Sequence, residues 1–215
     1  MDKTTHKQEK EIPVSKPGDI RMRTLRYEDI DDYLRIEFDA FYGKLSSIYG
    51  NRRDAAYNII KTEIASNFDS GRFMNALYKN RPVGIIEIVT KENSEKYRRD
   101  FSLYLKHLGP IGAVRAYFLT FLDLPQLDGN TLYMDNIAVD IDSRRRGVAT
   151  NMISFVEDLA LNRGKNKLCL WVAQKNSAAY HLYRKSGFKH LMFRSSRIAE
   201  KYFGFRDWVF MGKTL

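Results

Sequence analysis

The chain has 215 residues, 44% hydrophobic and 29% charged, the proportions of an ordinary folded protein and enough length for one domain with its own core. Its formal net charge of +10 attracts polyphosphates, nucleic acid and acidic protein surfaces alike, so charge alone selects none of them. A single cysteine, Cys169, rules out an internal disulfide and a cysteine-held metal cluster, and no apolar run reaches the ~18 residues of a membrane-spanning helix.

Residues 1–18 are polar, without periodicity and without the apolar core of a secretory signal, so the expectation is a flexible tail followed by one domain over 19–215 in a cytoplasmic protein. Ile20 to Leu25 alternates as a short strand. In the stretch RYEDIDDYLRIEFDAF, Ile30, Leu34, Phe38 and Phe41 recur at helical spacing, and acids crowd the first turn, where the helix dipole favours them. A second helical pattern runs from Arg53 to Phe68, with Tyr57, Ile60, Ile64 and Phe68 on one side. FMNALY and VGIIEIVT flank Lys79 to Pro82 as the arms of a β-hairpin. From Ser94 to Leu124 two aromatic-rich helical segments are divided by Gly109 and Pro110, and they read either as core or as a roof over a pocket.

TLYMDNIAVD is an apolar strand ending at Asp140, and the loop DSRRRGVATN follows it. Thr150 to Asn162 carries Met152, Val156 and Leu159 at helical spacing and stops at Gly164. KLCLWVA has the length and unbroken apolarity of a strand buried on both faces. Asn176 caps a short helix in SAAYHLYRKSGF, a strand begins at Phe188, and FRDWVFM forms the last strand pattern. Strands alternating with helices predict an α/β or α+β domain around one central sheet.

The arginine loop connects a strand to a helix through a glycine, which gathers backbone N–H groups and the positive end of a helix dipole at one point and makes an anion site. Gly147 lets the main chain approach a ligand, Val148 and Ala149 are compact, Thr150 adds a hydroxyl, and Arg144, Arg145 and Arg146 attract negative charge. A mononucleotide P-loop would need a second upstream glycine and a Gly-Lys-Ser/Thr, but the Gly-Lys-Thr here lies at 212–214 with no room for a helix. No G-x-G-x-x-G dinucleotide fingerprint occurs.

IAVDIDSRRRGVATNMI, followed by VAQKNSAAYHLYRKSGF, resembles the acyl-CoA-binding half of the GNAT superfamily of N-acetyltransferases, best over Leu132 to Phe193 and more loosely back to Ile20. The family's Gln/Arg-x-x-Gly-x-Gly/Ala loop falls on Arg144, Gly147 and Ala149. Its Asn-x-x-Ala-x-x-Leu-Tyr-x-x-x-Gly-Phe signature falls on Asn176, Ala179, Leu182, Tyr183, Gly187 and Phe188. The resemblance implies a mixed, mostly antiparallel sheet flanked by helices and acetyl-CoA as cosubstrate, with no metal. The loop from Arg144 to Thr150 would wrap the diphosphate. Ile137, Ala138 and Val139 would offer main-chain groups to the pantetheine arm, Asn176 would hydrogen-bond that arm, and Ala179 and Tyr183 would also contact the coenzyme. Ile141 stands where the family usually has proline.

The resemblance also supplies catalytic candidates. Tyr183 matches the position that donates a proton to the departing thiolate, and its alternative is a packed aromatic. Asp135 corresponds to the glutamate that serves as base in polyamine acetyltransferases of similar pattern. Strand alternation would put Tyr133, Asp135 and Ile137 on one face, and the shorter aspartate favours a bridging water. Its alternative is a structural carboxylate paired with an arginine. His181 is expected on the surface, and His107 and His190 show no metal-ligand spacing. Trp171 and Trp208 read as core, with Trp208 at the edge of a substrate cleft as a second option. Tyr117, Phe118 and Phe121 are candidate acceptor-side walls. The resemblance implies as acceptor a primary amine of a small molecule or a peptide N-terminus. Nucleic acid is disfavoured because the arginines precede a glycine turn rather than lie on a helix face. A non-catalytic acyl-CoA sensor stays open as an alternative, and so does a homodimer.

Overall fold

The computed structural model describes residues 20–97, 99–120 and 127–215, so the expected tail and Phe121 lie outside the described residues. The first strand, β1 (Ile20–Thr24), leads into α1 (Ile30–Tyr49) and α2 (Arg53–Ser66). The hairpin forms β2 (Phe73–Tyr78) and β3 (Arg81–Val89), with Lys79 and Asn80 both at positive φ in the two-residue turn. Two further helices follow, α3 (Lys91–Lys96) and α4 (Phe101–Leu119). The chain then runs β4 (Thr131–Val139), α5 (Val148–Asn162), β5 (Lys167–Ala173), α6 (Ser177–Lys185), β6 (Lys189–Ser195), α7 (Arg197–Phe203) and β7 (Asp207–Thr214). The spacing arguments located most of these elements, but α3 and α7 carry too few periodic residues to announce themselves.

The seven strands form one sheet in the order β1-β2-β3-β4-β5-β7-β6. Every pairing is antiparallel except β4 with β5. One face packs on α5, where Met74, Ile86, Leu132, Met134, Met152 and Val156 meet. Gly84 permits this close approach, because a Cβ there would stand 2.8 Å from the Met152 sulfur and 3.2 Å from the Ala138 carbonyl oxygen. The opposite face carries α1, α2 and α4 through Tyr33, Ile59, Ile64, Tyr104 and Ala116. As the sequence suggested, α4 breaks at Gly109 (φ 71°, ψ 175°), and Pro110 opens its second segment.

Candidate functional site

The site forms where the sheet opens. The strands β4 and β5 pair at Thr131–Lys167, Leu132–Leu168 and Tyr133–Cys169 and then part, although β4 continues to Val139 and β5 to Ala173. On its other side β5 keeps full register with β7 from Lys167–Thr214 to Ala173–Trp208. A gap therefore opens in mid-sheet toward the C-terminal ends of β4 and β5.

A bulge shapes the β4 side of that gap. Glu87 faces Asp135 and Ile85 faces Ala138, so one residue of β3 spans two of β4, and Asn136 takes up the difference at φ 43°. The Asn136 amide donates to its neighbour Asp135 Oδ1 at 2.9 Å, its Nδ2 donates to Glu87 Oε2 at 2.9 Å, and its Oδ1 accepts from Lys44 Nζ at 3.5 Å. The bulge overturns the expectation that Asp135 and Ile137 share a face. Ile137 and Val139 pack toward α5, whereas Ala138 lies on the α1 side, where Asp135 acts electrostatically on Tyr33 and Glu37 of α1. Simple alternation fails because the extra residue reverses the phase of the strand.

At the end of β4 the loop is held from below. The Asp140 amide donates to Val83 O at 2.9 Å, and the Asp140 carboxylate accepts from the Asp142 amide at 3.1 Å and from Arg35 Nη1 at 2.6 Å. Arg145 (φ 60°) and Gly147 (φ 78°) both adopt the left-handed conformation, which turns successive amides inward. The Gly147 carbonyl accepts from the backbone N–H and the side-chain Nδ2 of Asn151, each at 3.0 Å. Among the described residues, nothing accepts a hydrogen bond from the amides of Arg145 through Thr150. Arg144 Nε donates to Val139 O at 3.2 Å, and all three arginines are exposed. Six unspent donors at a helix start, beside three guanidinium groups, suit a diphosphate.

Asn176 caps α6 as expected, accepting from the Ala179 amide at 3.2 Å. Tyr183 is buried, edge-on to Phe188 with ring centroids 5.9 Å apart, and burial holds its phenol well above the usual range. Ile137, Val139, Val148, Ala179 and Tyr183 belong to one cluster on the α5 side. The candidate acid and the candidate base thus approach the gap from opposite faces of the sheet.

Sequence reasoning missed the buried polar group beneath Asp135. Glu37 on α1 lies one turn beyond Tyr33, and both are buried, while Glu37 Oε2 and the Tyr33 hydroxyl find no partner among the described residues. Burial, reinforced by Glu87, pushes the Glu37 carboxyl up to about 8. Glu87 itself accepts from Arg72 Nε, whose guanidinium lies 4.2 Å from the Tyr97 ring centroid. A charged residue inside the apolar run GIIEIV was the available signal. Of the remaining candidates, His181 is exposed, Trp171 packs on Phe210 at 4.9 Å, and Trp208 packs against the α1-side cluster. Tyr117 is half-buried, edge-on to Phe101 and Tyr104 against the α1-side cluster, while Phe118 is 62% exposed.

The family model for the acetyltransferase (GNAT) family matches residues 30–188. The chain is 39% identical over 57 residues to a chloroplastic GCN5-related N-acetyltransferase of Arabidopsis thaliana, a match spanning 26% of this chain and 20% of that protein. A crystal structure described as an acetyltransferase superposes with a TM-score of 0.65 at 19% identity, covering 90% of this chain and 98% of that one. The PaiA N-acetyltransferase of Thermoplasma acidophilum, solved in complex with coenzyme A, superposes with a TM-score of 0.57 at 14% identity, covering 92% and 100% of the two chains.

Proposed function

The chain belongs to the GNAT acetyltransferase family, and from that premise we propose that it moves the acetyl group of acetyl-CoA to the primary amine of a small molecule or a protein N-terminus. The observation that carries this reading is the run of unpartnered amides from Arg145 to Thr150 at the mouth of the β4–β5 gap. In this reading the coenzyme diphosphate rests on those amides, with Arg144, Arg145 and Arg146 balancing its charge. The pantetheine arm follows the free edge of β4 at Ile137, Ala138 and Val139, with Asn176 and Ala179 across the gap.

Acetyl-CoA supplies a thioester already activated toward amines. Asp135 takes the proton of the attacking amine, directly or through a water, as nitrogen bonds the carbonyl carbon. The carbon–sulfur bond then breaks, and Tyr183 gives its phenolic proton to the thiolate. The burial that keeps the proton on Tyr183 also raises the basicity of a thiolate expelled beside it, so transfer between them stays feasible.

The test is thermal denaturation with and without acetyl-CoA, joined to release of the coenzyme thiol with a panel of amines. Ligand at about 100 times its dissociation constant should stabilise the fold by about 2.7 kcal/mol. A side chain at Gly147 should weaken the binding and shrink that shift, since an L-residue held at φ 78° costs about 1–2 kcal/mol. An unshifted melting curve together with no thiol release from any amine would defeat the proposal.

A further inference from the structure

A cavity of about 400 Å³ opens at the turn between α1 and α2, facing the break in α4. That volume lies within the range of small-molecule sites. Two guanidinium groups line it. Arg52 donates through Nη1 to Leu108 O at 2.9 Å, and Arg115 donates through Nη2 to Ser47 O at 2.6 Å. Arg115 also lies 5.4 Å from the ring centroid of Tyr202. Each arginine is tethered by one bond to a backbone carbonyl and keeps further N–H donors. Among the described residues neither forms an ion pair with a carboxylate. Two tethered, uncompensated forks on one cavity are preorganised for an anion.

The backbone around the cavity is also unusual. Gly50 (φ 71°, ψ −168°) and Gly109 (φ 71°, ψ 175°) both line it and share a conformation essentially reserved for glycine. A Cβ at either would meet nothing within 4 Å, so glycine is required there by the backbone angle rather than by lack of room. The two bends set the α1–α2 turn and the α4 break on opposite walls. Tyr49 and Ile111 add apolar lining, giving a site with a cationic, anion-binding end and a greasy side.

Helix α1 links the cavity to the candidate site. Lys44 of α1 reaches the β4 bulge at Asn136, and Ile48 and Tyr49, on the cavity wall, lie about one helical turn further along the same helix. We propose that this cavity binds a carboxylate of the amine acceptor, so that the preferred substrates carry an acid group several bonds away from the amine that is acetylated. The inference rests on the acetyl-transfer reading given above. It narrows the acceptor to a class, long amino acids or peptides with an acidic end, and disfavours simple alkylamines.

Two measurements test it. In titration calorimetry adipate, which has no amine, should bind the wild-type protein, weaken with added salt, and fail to bind Arg115→Gln or Ile111→Glu. Ile111 is 87% exposed, so that second variant places a repelling charge at the cavity without disturbing the core. In the thiol-release assay 6-aminohexanoate should exceed hexylamine in kcat/KM by about 10- to 100-fold, the range of a charge-assisted hydrogen bond. Both variants should erase that advantage, chiefly through KM for 6-aminohexanoate. Absent adipate binding, or equal kcat/KM for the two amines, overturns the proposal. Acetylation of neither amine, with no thermal shift by acetyl-CoA, is instead the signature of a failed transferase reading, and adipate binding then judges the anion cavity by itself.

Discussion

Replacing Glu37 by Gln probes the buried acid group directly. The Glu37 carboxyl is 7% exposed and faces Glu87 from β3, Asp135 from β4 and Glu63 from α2, with Lys44 as the nearby cation on its own helix. Burial is the leading cause of its rise from 4.5 to about 8, and the neighbouring carboxylates add to it. Between these values the unfolded chain has lost the proton that the folded protein keeps. The stability associated with this proton is therefore complete below pH 4.5, falls as pH rises through about 8, and changes no further above it. At about 1.36 kcal/mol per pKa unit the ceiling is about 5 kcal/mol. Glutamine mimics the protonated side chain and cannot titrate. Urea unfolding of both proteins from pH 5 to pH 9 should show the variant gaining on the wild type by several kcal/mol toward alkaline pH. Parallel stability curves across that range would refute the assignment of a proton to buried Glu37.

Three further outcomes are expected. Tyr183→Phe should lower kcat by about 10² to 10⁴, the usual worth of acid assistance, and leave acetyl-CoA affinity nearly unchanged; equal kcat in the two proteins would remove Tyr183 as the acid. Asp140→Ala deletes the acceptor of the Asp142 amide and of Arg35, so a stability loss of about 0.5–2 kcal/mol by urea titration should accompany weaker acetyl-CoA binding. Gly84→Ala forces a methyl group to 2.8 Å from Met152 and 3.2 Å from the Ala138 carbonyl, which should cost about 1–3 kcal/mol in the same titration, and a neutral result would show that α5 can lift from the sheet without loss.

Much of the candidate site was legible in the sequence. The loop Arg144 to Thr150 combines a glycine, small residues and a helix start within seven positions, and local chemistry of that kind survives any tertiary arrangement. Asn176 and Tyr183 cap and occupy one short helix for the same reason. Less legible were Glu37 and Glu87, which come from distant segments and become one electrostatic group only when α1 lies across β3 and β4. The cavity with Arg52 and Arg115 joins positions more than sixty residues apart, and neither arginine stands out from the basic residues scattered along the chain.

The sequence by itself determined where strands and helices run, because hydrophobic spacing, caps and glycine–proline breaks act over a few residues. It specified KLCLWVA as a buried strand and the division of α4 at Gly109 and Pro110. The tertiary structure alone decided that β4 and β5 part after Tyr133 and Cys169, and that a bulge at Asn136 turns Asp135 and Ile137 to opposite faces. Those outcomes depend on which strand finds which neighbour and in what register. Pairing of that kind is a property of the whole sheet, whereas the periodicity of a single segment reports on that segment alone.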